Sequence, residues 1–379
     1  MLWCGWLKVL AKKMEKRVGI LTMGGDCSGL NSVIRGAYLR SKTLGYSLFG
    51  IKRGFRGLAC GNDTAPDCIE LTDTICDETM LTTSGSILLS DTKWMSSEVK
   101  NGRTVDSIRR AIVNGYKQLN FSGLICVGGD GSLKLLDELT ANSDELKVVF
   151  VPKTIDNDVN YTDYAVGFQT SVTAATEAIE NIRSTAKSHE RTMVVEVMGR
   201  DAGFIALYAG IASGADVILV PEFKYDIEKV KNKVRENFQN GKNHCIIVVA
   251  ESVEAEDFKH SEREVNGFVK YTHISYKGIG HYLAQKIKDA GFDCRSVTLG
   301  HIQRGGTTCI YDRLLGTLFG VEAINLVSYG TFGKMLAFSE NGIKIIDIRE
   351  VVKNVGRSLT RDDKYVKATE DLGVYIGEI

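Results

Sequence analysis

The feature that most constrains the fold is a junction repeated along the chain. A short apolar run, the length of a buried strand, breaks into glycines or carboxylates and then into a stretch with helical spacing. Arg17–Met23 opens into Gly24-Gly25-Asp26-Cys27-Ser28-Gly29 and then Leu30–Leu44. Leu124–Val127 opens into Gly128-Gly129-Asp130-Gly131-Ser132, with a helix starting near Ser132. Val148–Val151 opens into Pro152-Lys153-Thr154-Ile155-Asp156-Asn157-Asp158. Further apolar runs at Met193–Val197, Val217–Val220, Cys245–Val249 and Val297–Leu299 alternate with helical stretches at 171–186, 202–211, 227–237, 276–290 and 311–327. Short, continuously apolar strands alternating with helices predict an α/β fold with mostly parallel sheets covered on both faces. Residues 54–100 have only weak periodicity, and the polar stretch 252–270 reads as a surface loop.

At 379 residues the chain is long enough for roughly two domains of about 150–200 residues each. Lys+Arg and Asp+Glu both total 47, so no basic field calls for nucleic acid or an anionic membrane. The nine cysteines form no CxxC pair, which argues for reduced thiols in a cytoplasm over a disulfide frame or zinc site. The apolar start of the chain is too short to span a bilayer and lacks a signal-peptide layout, so residues 1–15 read as an extension outside the fold. The 39 glycines, against three prolines, concentrate after apolar runs, where close backbone turns are needed.

Gly24-Gly25-Asp26 alone is equally a structural turn. Gly128–Ser132 offers more: glycines without a Cβ to block a phosphate, and the positive end of a helix. Such loops also occur in kinases acting on NAD or lipids. Asp130 is placed to hold Mg²⁺ between phosphate oxygens, or else to cap the helix. Thr154, Asp156 and Asp158 put three polar groups within five residues directly after a buried strand, a costly arrangement unless it serves a site. Phosphoryl transfer needs a donor clamp, a metal, cationic stabilisation and a carboxylate to accept the hydroxyl proton. Asp156 suits the base and Lys153 the cation. Met198-Gly199-Arg200 and Gly300-His301-Ile302-Gln303-Arg304-Gly305-Gly306 each present an arginine beside glycines, the fork-shaped donor that suits a sugar phosphate.

In that order, these five motifs resemble the 6-phosphofructokinase family over about Arg17 to Val327. The resemblance implies two Rossmann-like, three-layer α/β domains with the active site in the cleft between them. The donor domain would comprise residues 16–167 plus about 303–353, and the sugar domain 168–302 plus about 354–379. The implied reaction is phosphorylation of the 1-hydroxyl of fructose 6-phosphate in glycolysis. Gly25, Gly129, Asp130, Gly131 and Ser132 match the donor contacts, with Asp130 as the Mg²⁺ ligand. Asp156 matches the base, and Thr154, Met198, Gly199, Arg200 and Glu222 the sugar contacts. His301 and Arg304 match the residues on the 6-phosphate. Arg191 and Arg295 match arginines that the family lends across a subunit interface, which implies a homotetramer or homodimer.

Two positions bear on the donor. ATP users of the family have glycine where Gly131 stands, and pyrophosphate users have aspartate, which would crowd the α-phosphate of ATP. Lys153 is the residue of pyrophosphate users. Since a lysine can assist either donor and steric exclusion is decisive, ATP is expected, with pyrophosphate as the alternative and a weakly active regulatory subunit as the third reading. The loop Ser84–Lys93 departs from the family: Leu89 and Thr92 replace a glycine and an arginine, leaving Lys93 as a point charge near the donor. Ser28 stands for a proline. Among arginines of the effector pocket, Arg35 matches and Leu39 does not.

Overall fold

The computed structural model describes residues 16–59, 65–140, 145–255, 261–265, 268–272, 278–354 and 356–378. The expected extension 1–15 lies outside the described residues. The strands are β1 (Lys16–Thr22), β2 (Tyr46–Ile51), β3 (Cys68–Glu70), β4 (Phe121–Gly128), β5 (Val148–Pro152), β6 (Thr192–Val197), β7 (Val217–Leu219), β8 (Cys245–Ala250), β9 (Ser261–Val265), β10 (Phe268–Thr272), β11 (Cys294–Thr298), β12 (Lys334–Ser339) and β13 (Gly342–Asp347).

They form a seven-stranded sheet in the order β13-β12-β5-β4-β1-β2-β3, a four-stranded sheet β11-β6-β8-β7, and the β9–β10 ribbon. The four-stranded sheet is wholly parallel, and the large sheet is parallel except where β3 and β13 pair antiparallel at its edges. This is the α/β architecture expected from the strand–helix rhythm.

The central strands show why. In β4, Ile125 and Val127 enter one apolar core while Leu124 and Cys126 enter another; in β5, Val149 and Val151 oppose Val148 and Phe150 in the same way. Successive side chains point to opposite faces of a strand, so a continuous apolar run requires cover on both. Helices supply it, among them Leu30–Leu44, Val105–Gln118, Asp130–Thr140 and Ile310–Tyr329.

Two expectations need correction. The stretch 252–270 is not a plain loop: β9 lies within it and β10 begins at its end. The weakly periodic residues 54–100 hold, among the described residues, the short helices Phe55–Leu58 and Trp94–Lys100, a single 3-10 turn at Glu78–Leu81, and β3. The strand expected at Val297–Leu299 runs from Cys294 to Thr298; its edge position leaves Arg295 exposed, so it lacks an apolar signature.

Helices Leu30–Leu44 and Ile310–Tyr329 cross at glycines. A Cβ on Gly320 would lie 2.2 Å from the Val33 carbonyl oxygen, and one on Gly36 2.6 Å from that of Thr317. The crossing holds the helix that begins after the first glycine turn. Alanine is the better helix former by about 1 kcal/mol, but backbone has nowhere to yield here. Gly320→Ala is therefore expected to destabilise by about 1–3 kcal/mol in urea melts; a neutral or stabilising result would mean that the helices separate freely.

Candidate active site

Every motif leaves the carboxyl end of a parallel strand. Gly24 and Gly25 follow β1, Gly129 to Ser132 follow β4, and Lys153 to Asp158 follow β5, three strands that are neighbours in one sheet. Met198 to Arg200 follow β6, Glu222 follows β7, and His301 and Arg304 follow β11, all in the other sheet. Ligands of open α/β sheets bind at such carboxyl ends.

Around the donor turns the backbones nearly touch. A Cβ on Gly129 would lie 3.2 Å from the Lys153 carbonyl oxygen, and one on Gly24 3.2 Å from Ser132 Oγ and 3.3 Å from Lys153 Nζ. Gly131 is different: a Cβ there would meet nothing within 4 Å. Asp130 opens the helix Asp130–Thr140, its carboxylate 3.1 Å from Lys134 Nζ. Lys153 is buried and donates from Nζ to the Gly25 carbonyl oxygen at 2.5 Å. Burial lowers its pKa, opposed by the nearby Asp158 and Asp26 carboxylates.

Thr154 Oγ1 accepts from the Asp156 N–H at 3.1 Å, fixing the turn that aims the carboxylate. Asn157 takes the left-handed conformation (φ 55°), donating to the Asp163 carbonyl oxygen at 2.9 Å and accepting from the Ala165 N–H at 2.9 Å. Asp156 and Asp158 therefore belong to a rigid loop. Burial, then the charge of Asp158, pushes Asp156 up to about 7, while Arg304 and Arg200 hold it back. Burial also raises Asp158, whose Oδ1 has no hydrogen-bond partner. Asp130 faces Asp158 closely enough to raise it further. A buried carboxylate oxygen without a partner, facing a second carboxylate, suits a hard cation such as Mg²⁺. Among the described residues no three His, Cys, Asp or Glu side chains gather as a metal cage. That fits an ion held by one or two carboxylates and completed by donor phosphates.

In the loops of the four-stranded sheet, Gly199 has φ 143°, and its carbonyl oxygen accepts from Ser252 Oγ at 2.6 Å. The Met198 N–H donates to the buried Gln303 Oε1 at 3.3 Å, linking the Met198 and His301 loops. Arg200 pairs with Asp201 at 2.6 Å on the surface and acts electrostatically on both Asp156 and Asp158. His301 is exposed. Arg304 reaches across to the donor side, donating to the Asp26 carbonyl oxygen at 3.0 Å and abutting Gly25. Glu222 accepts from the Gly203 N–H at 3.0 Å and the Leu359 N–H at 3.0 Å, so it also braces the surrounding backbone. Its pKa is raised by burial.

Two residues are not brought to this site within one chain. Arg191 precedes β6 and Arg295 lies near the start of β11, both 3.3 Å from Asp293. Both sit near the amino ends of strands whose carboxyl ends bear the site, Arg191 roughly 20 Å and Arg295 roughly 10 Å from the end of its strand at about 3.3 Å per residue.

The divergent loop lies over the first glycine turn. Ser84 Oγ bonds Ser28 Oγ at 2.8 Å, Thr22 Oγ1 bonds Ser86 Oγ at 2.9 Å and donates to the Leu89 carbonyl oxygen at 2.8 Å, and Ser90 Oγ donates to the Gly24 carbonyl oxygen. Leu89 has φ 61°, so it holds the left-handed backbone that glycine would adopt without strain. Lys93 is exposed beside it, its N–H accepted by Asp91 at 2.9 Å. Sequence reasoning left Asp158, Gln303 and Glu251 without a role. Asp158 and Gln303 stood within motifs; Glu251 carried no signal, because only folding brings it to Asp156, as it brings Gln303 to Met198.

Phosphate-sized glycine turns facing guanidinium groups across a titratable carboxylate are the arrangement of an α/β phosphotransferase. Residues 17–327 match the Phosphofructokinase family model. The ATP-dependent 6-phosphofructokinase 1 of Nostoc sp. is 40% identical over 368 residues, covering 96% of this chain and 99% of its own. The pyrophosphate–fructose 6-phosphate 1-phosphotransferase of Dictyoglomus thermophilum is 38% identical over 335 residues, covering 88% of this chain and 92% of its own. Phosphofructokinase from Saccharomyces cerevisiae superposes with a TM-score of 0.72 at 28% identity over 89% of this chain; the chain spans 45% of that one. The chain belongs to the phosphofructokinase family.

The Asp156 environment has a measurable signature. Its folded pKa of about 7 lies above the ordinary 3.8, so the fold favours the neutral acid. That stabilisation is complete below about pH 4 and lost as pH rises through about 7. In Asp156→Asn, urea-melt stability should fall less between pH 4 and 8 than in the wild type, while turnover drops by about 10²–10⁴-fold. Parallel stability curves for the two proteins would show that Asp156 titrates normally.

Proposed function

We propose that this chain transfers the γ-phosphoryl group of ATP to the 1-hydroxyl of fructose 6-phosphate, giving fructose 1,6-bisphosphate and ADP. The observation that carries the reading is Asp156: a carboxylate with a pKa near neutrality, on a rigid loop between the Gly128–Ser132 turn and Arg200. A base is most effective when its pKa lies near the working pH.

Asp156 takes the proton of the 1-hydroxyl as the sugar oxygen forms its bond to phosphorus and the bond from the γ-phosphorus to the β–γ bridging oxygen breaks. The electron pair of that bond leaves on ADP. Backbone N–H groups of Gly129 to Ser132 and the following helix terminus hold the donor phosphates. Gly25 and Lys93 lie on the same side. Lys153 and Arg200 offset charge on the transferring group. Asp130, with Asp158 within reach, would hold Mg²⁺, which supplies neutralisation of the donor oxygens. Thr154, Met198, Gly199 and Glu222 orient the sugar, and His301 and Arg304 receive its 6-phosphate. The donor half would comprise residues 16–167 and about 303–353, and the sugar half 168–302 and about 354–379.

Arg191 and Arg295 serve a neighbouring subunit in this reading, as a homotetramer or homodimer; their place near the amino ends of β6 and β11 supports it. The chain would act in glycolysis in the cytoplasm. Among the described residues no helix is long and apolar enough to cross a membrane.

Pyrophosphate is the second reading, and Lys153 is what favours it. Its Nζ, however, is engaged with the Gly25 carbonyl oxygen, so it shapes the turn for either donor. The open space at Gly131 supports ATP. Coupled assays with each donor and Mg²⁺ test this: turnover with pyrophosphate and none with ATP would sink the ATP reading. Gly131→Asp should fold normally, since the chain itself leaves room, and lose ATP efficiency by about 10-fold or more, each tenfold being about 1.4 kcal/mol. Its pyrophosphate activity should be unchanged or gained. Equal ATP kinetics in variant and wild type would remove Gly131 as the determinant.

A further inference from the structure

One segment outside every motif touches both halves of the site. Beyond the helix Ile348–Lys353, residues Arg357 and Leu359 lie in a stretch outside helices and strands, and Arg361 lies at the turn that follows. The Arg357 N–H donates to the Asp158 carbonyl oxygen at 2.8 Å. Its Nη1 donates to the carbonyl oxygens of Asp163 at 2.8 Å and Thr162 at 3.3 Å, farther along the same loop. The other side of that guanidinium lies over the Phe204 ring, 4.7 Å from its centroid. Phe204 begins the helix that follows the Met198–Arg200 loop. Two residues on, the Leu359 N–H donates to Glu222 Oε1; two further on, the Arg361 guanidinium lies 3.9 Å from the centroid of Phe223.

We infer that Arg357–Arg361 is a strap that sets the spacing between the base loop and the sugar-binding loops, with Arg357 as its positioning residue. The inference rests on the phosphoryl-transfer reading for its consequence, but not for its geometry. The contacts of 357, 359 and 361 fall in turn on the base loop, on Glu222 and on Phe223, so the segment grips a row of neighbours. Arg357 alone faces both halves. Its Nη1 donates to two carbonyl oxygens while the guanidinium lies over an aromatic ring, a combination of in-plane donation and stacking that the compact ammonium of lysine does not reproduce. Arg357 has no contact with the Asp156 carboxylate, so it acts through backbone position. An aromatic contact runs beside the strap, where Tyr208 packs 4.7 Å from Tyr365 of the C-terminal helix.

The test uses the full chain with Arg357→Gln, Arg357→Lys, Arg361→Gln and the double Arg357→Gln/Arg361→Gln variant. Arg357→Gln should lower kcat by about 10–100-fold, the scale of a misplacement near 1 Å, with the KM for the donor within about twofold. Arg357→Lys should lie between. Because the strap acts as one unit, the double variant should lose less than the product of the two single losses. Hydrogen exchange reads the geometry without activity: amides at 158–165 and 203–206 should both lose protection in Arg357→Gln while β1 and β8 keep theirs. A near-normal kcat in a folded variant would overturn the strap, as would exchange that rises in only one of the two segments or everywhere at once. Should the wild type show no turnover with any donor, the phosphoryl-transfer reading fails, and the exchange result still decides the strap.

Discussion

The site depends on one backbone hydrogen bond, from the Lys153 N–H to the Gly128 carbonyl oxygen at 2.9 Å. It extends the parallel ladder in which Gly128 pairs with Pro152, and with it the glycine turn and the acidic loop diverge from the sheet side by side. On the other side of β4, the Met23 N–H reaches the Val127 carbonyl oxygen at 2.8 Å and does the same for the first glycine turn. A register slip of one residue would turn every apolar side chain of these strands to the wrong face. The two cores therefore lock the register, and the register brings together three turns that lie far apart in the chain. Packing thus fixes the chemistry's geometry before any catalytic group contributes.

The consequence is electrostatic. Two buried carboxylates, Asp156 and Asp158, end up side by side at the edge of the sheet, with Asp130 facing Asp158. Burial raises the pKa of both members of that pair. Arg200 and Arg304 arrive from the other sheet and draw Asp156 back toward ionisation, so that its pKa comes to about 7 instead of higher. The environment of Asp156, the proposed base, is therefore a product of both sheets: the first supplies the desolvation, the second the counter-charge. That is a physical reason for a site between two sheets, and for a strap that holds their loops together.

Much of this was legible in the chain because the signals are local. Each parallel strand buried on both faces is a continuous apolar run, and each turn that must approach another backbone closely has glycine. Gly24, Gly129 and Thr154 could be picked out on those grounds, and they do converge. What escaped was long-range or amphipathic. β12 and β13 lie at or near a sheet edge, where a half-exposed strand such as Gly342–Asp347 loses the apolar run. Arg357 sits in no motif, and its partners are about 150–200 positions upstream. Nothing in the local sequence marks an arginine that works by bonding backbone carbonyls of a distant loop. The two arginines taken as subunit-sharing, Arg191 and Arg295, lie at the far end of the strands, where both pair with Asp293.

The conflict between Lys153 and Gly131 over the donor also resolves at the level of contacts. A lysine beside a phosphate site looks like a free cation when read from sequence, but here its Nζ is tied to the Gly25 carbonyl oxygen, with Gly24 packed against it. It thereby contributes first to the shape of the turn and only then to the field. Gly131 contributes nothing to packing, since no atom of the chain lies where its side chain would be. A position that costs the fold nothing to change is one where the ligand alone sets the constraint. In the reading proposed above, donor choice would accordingly be a question of volume at Gly131 more than of charge at Lys153. The strained Leu89 loop, tied to the same first turn through Ser90 and Thr22, is the next element able to alter that volume.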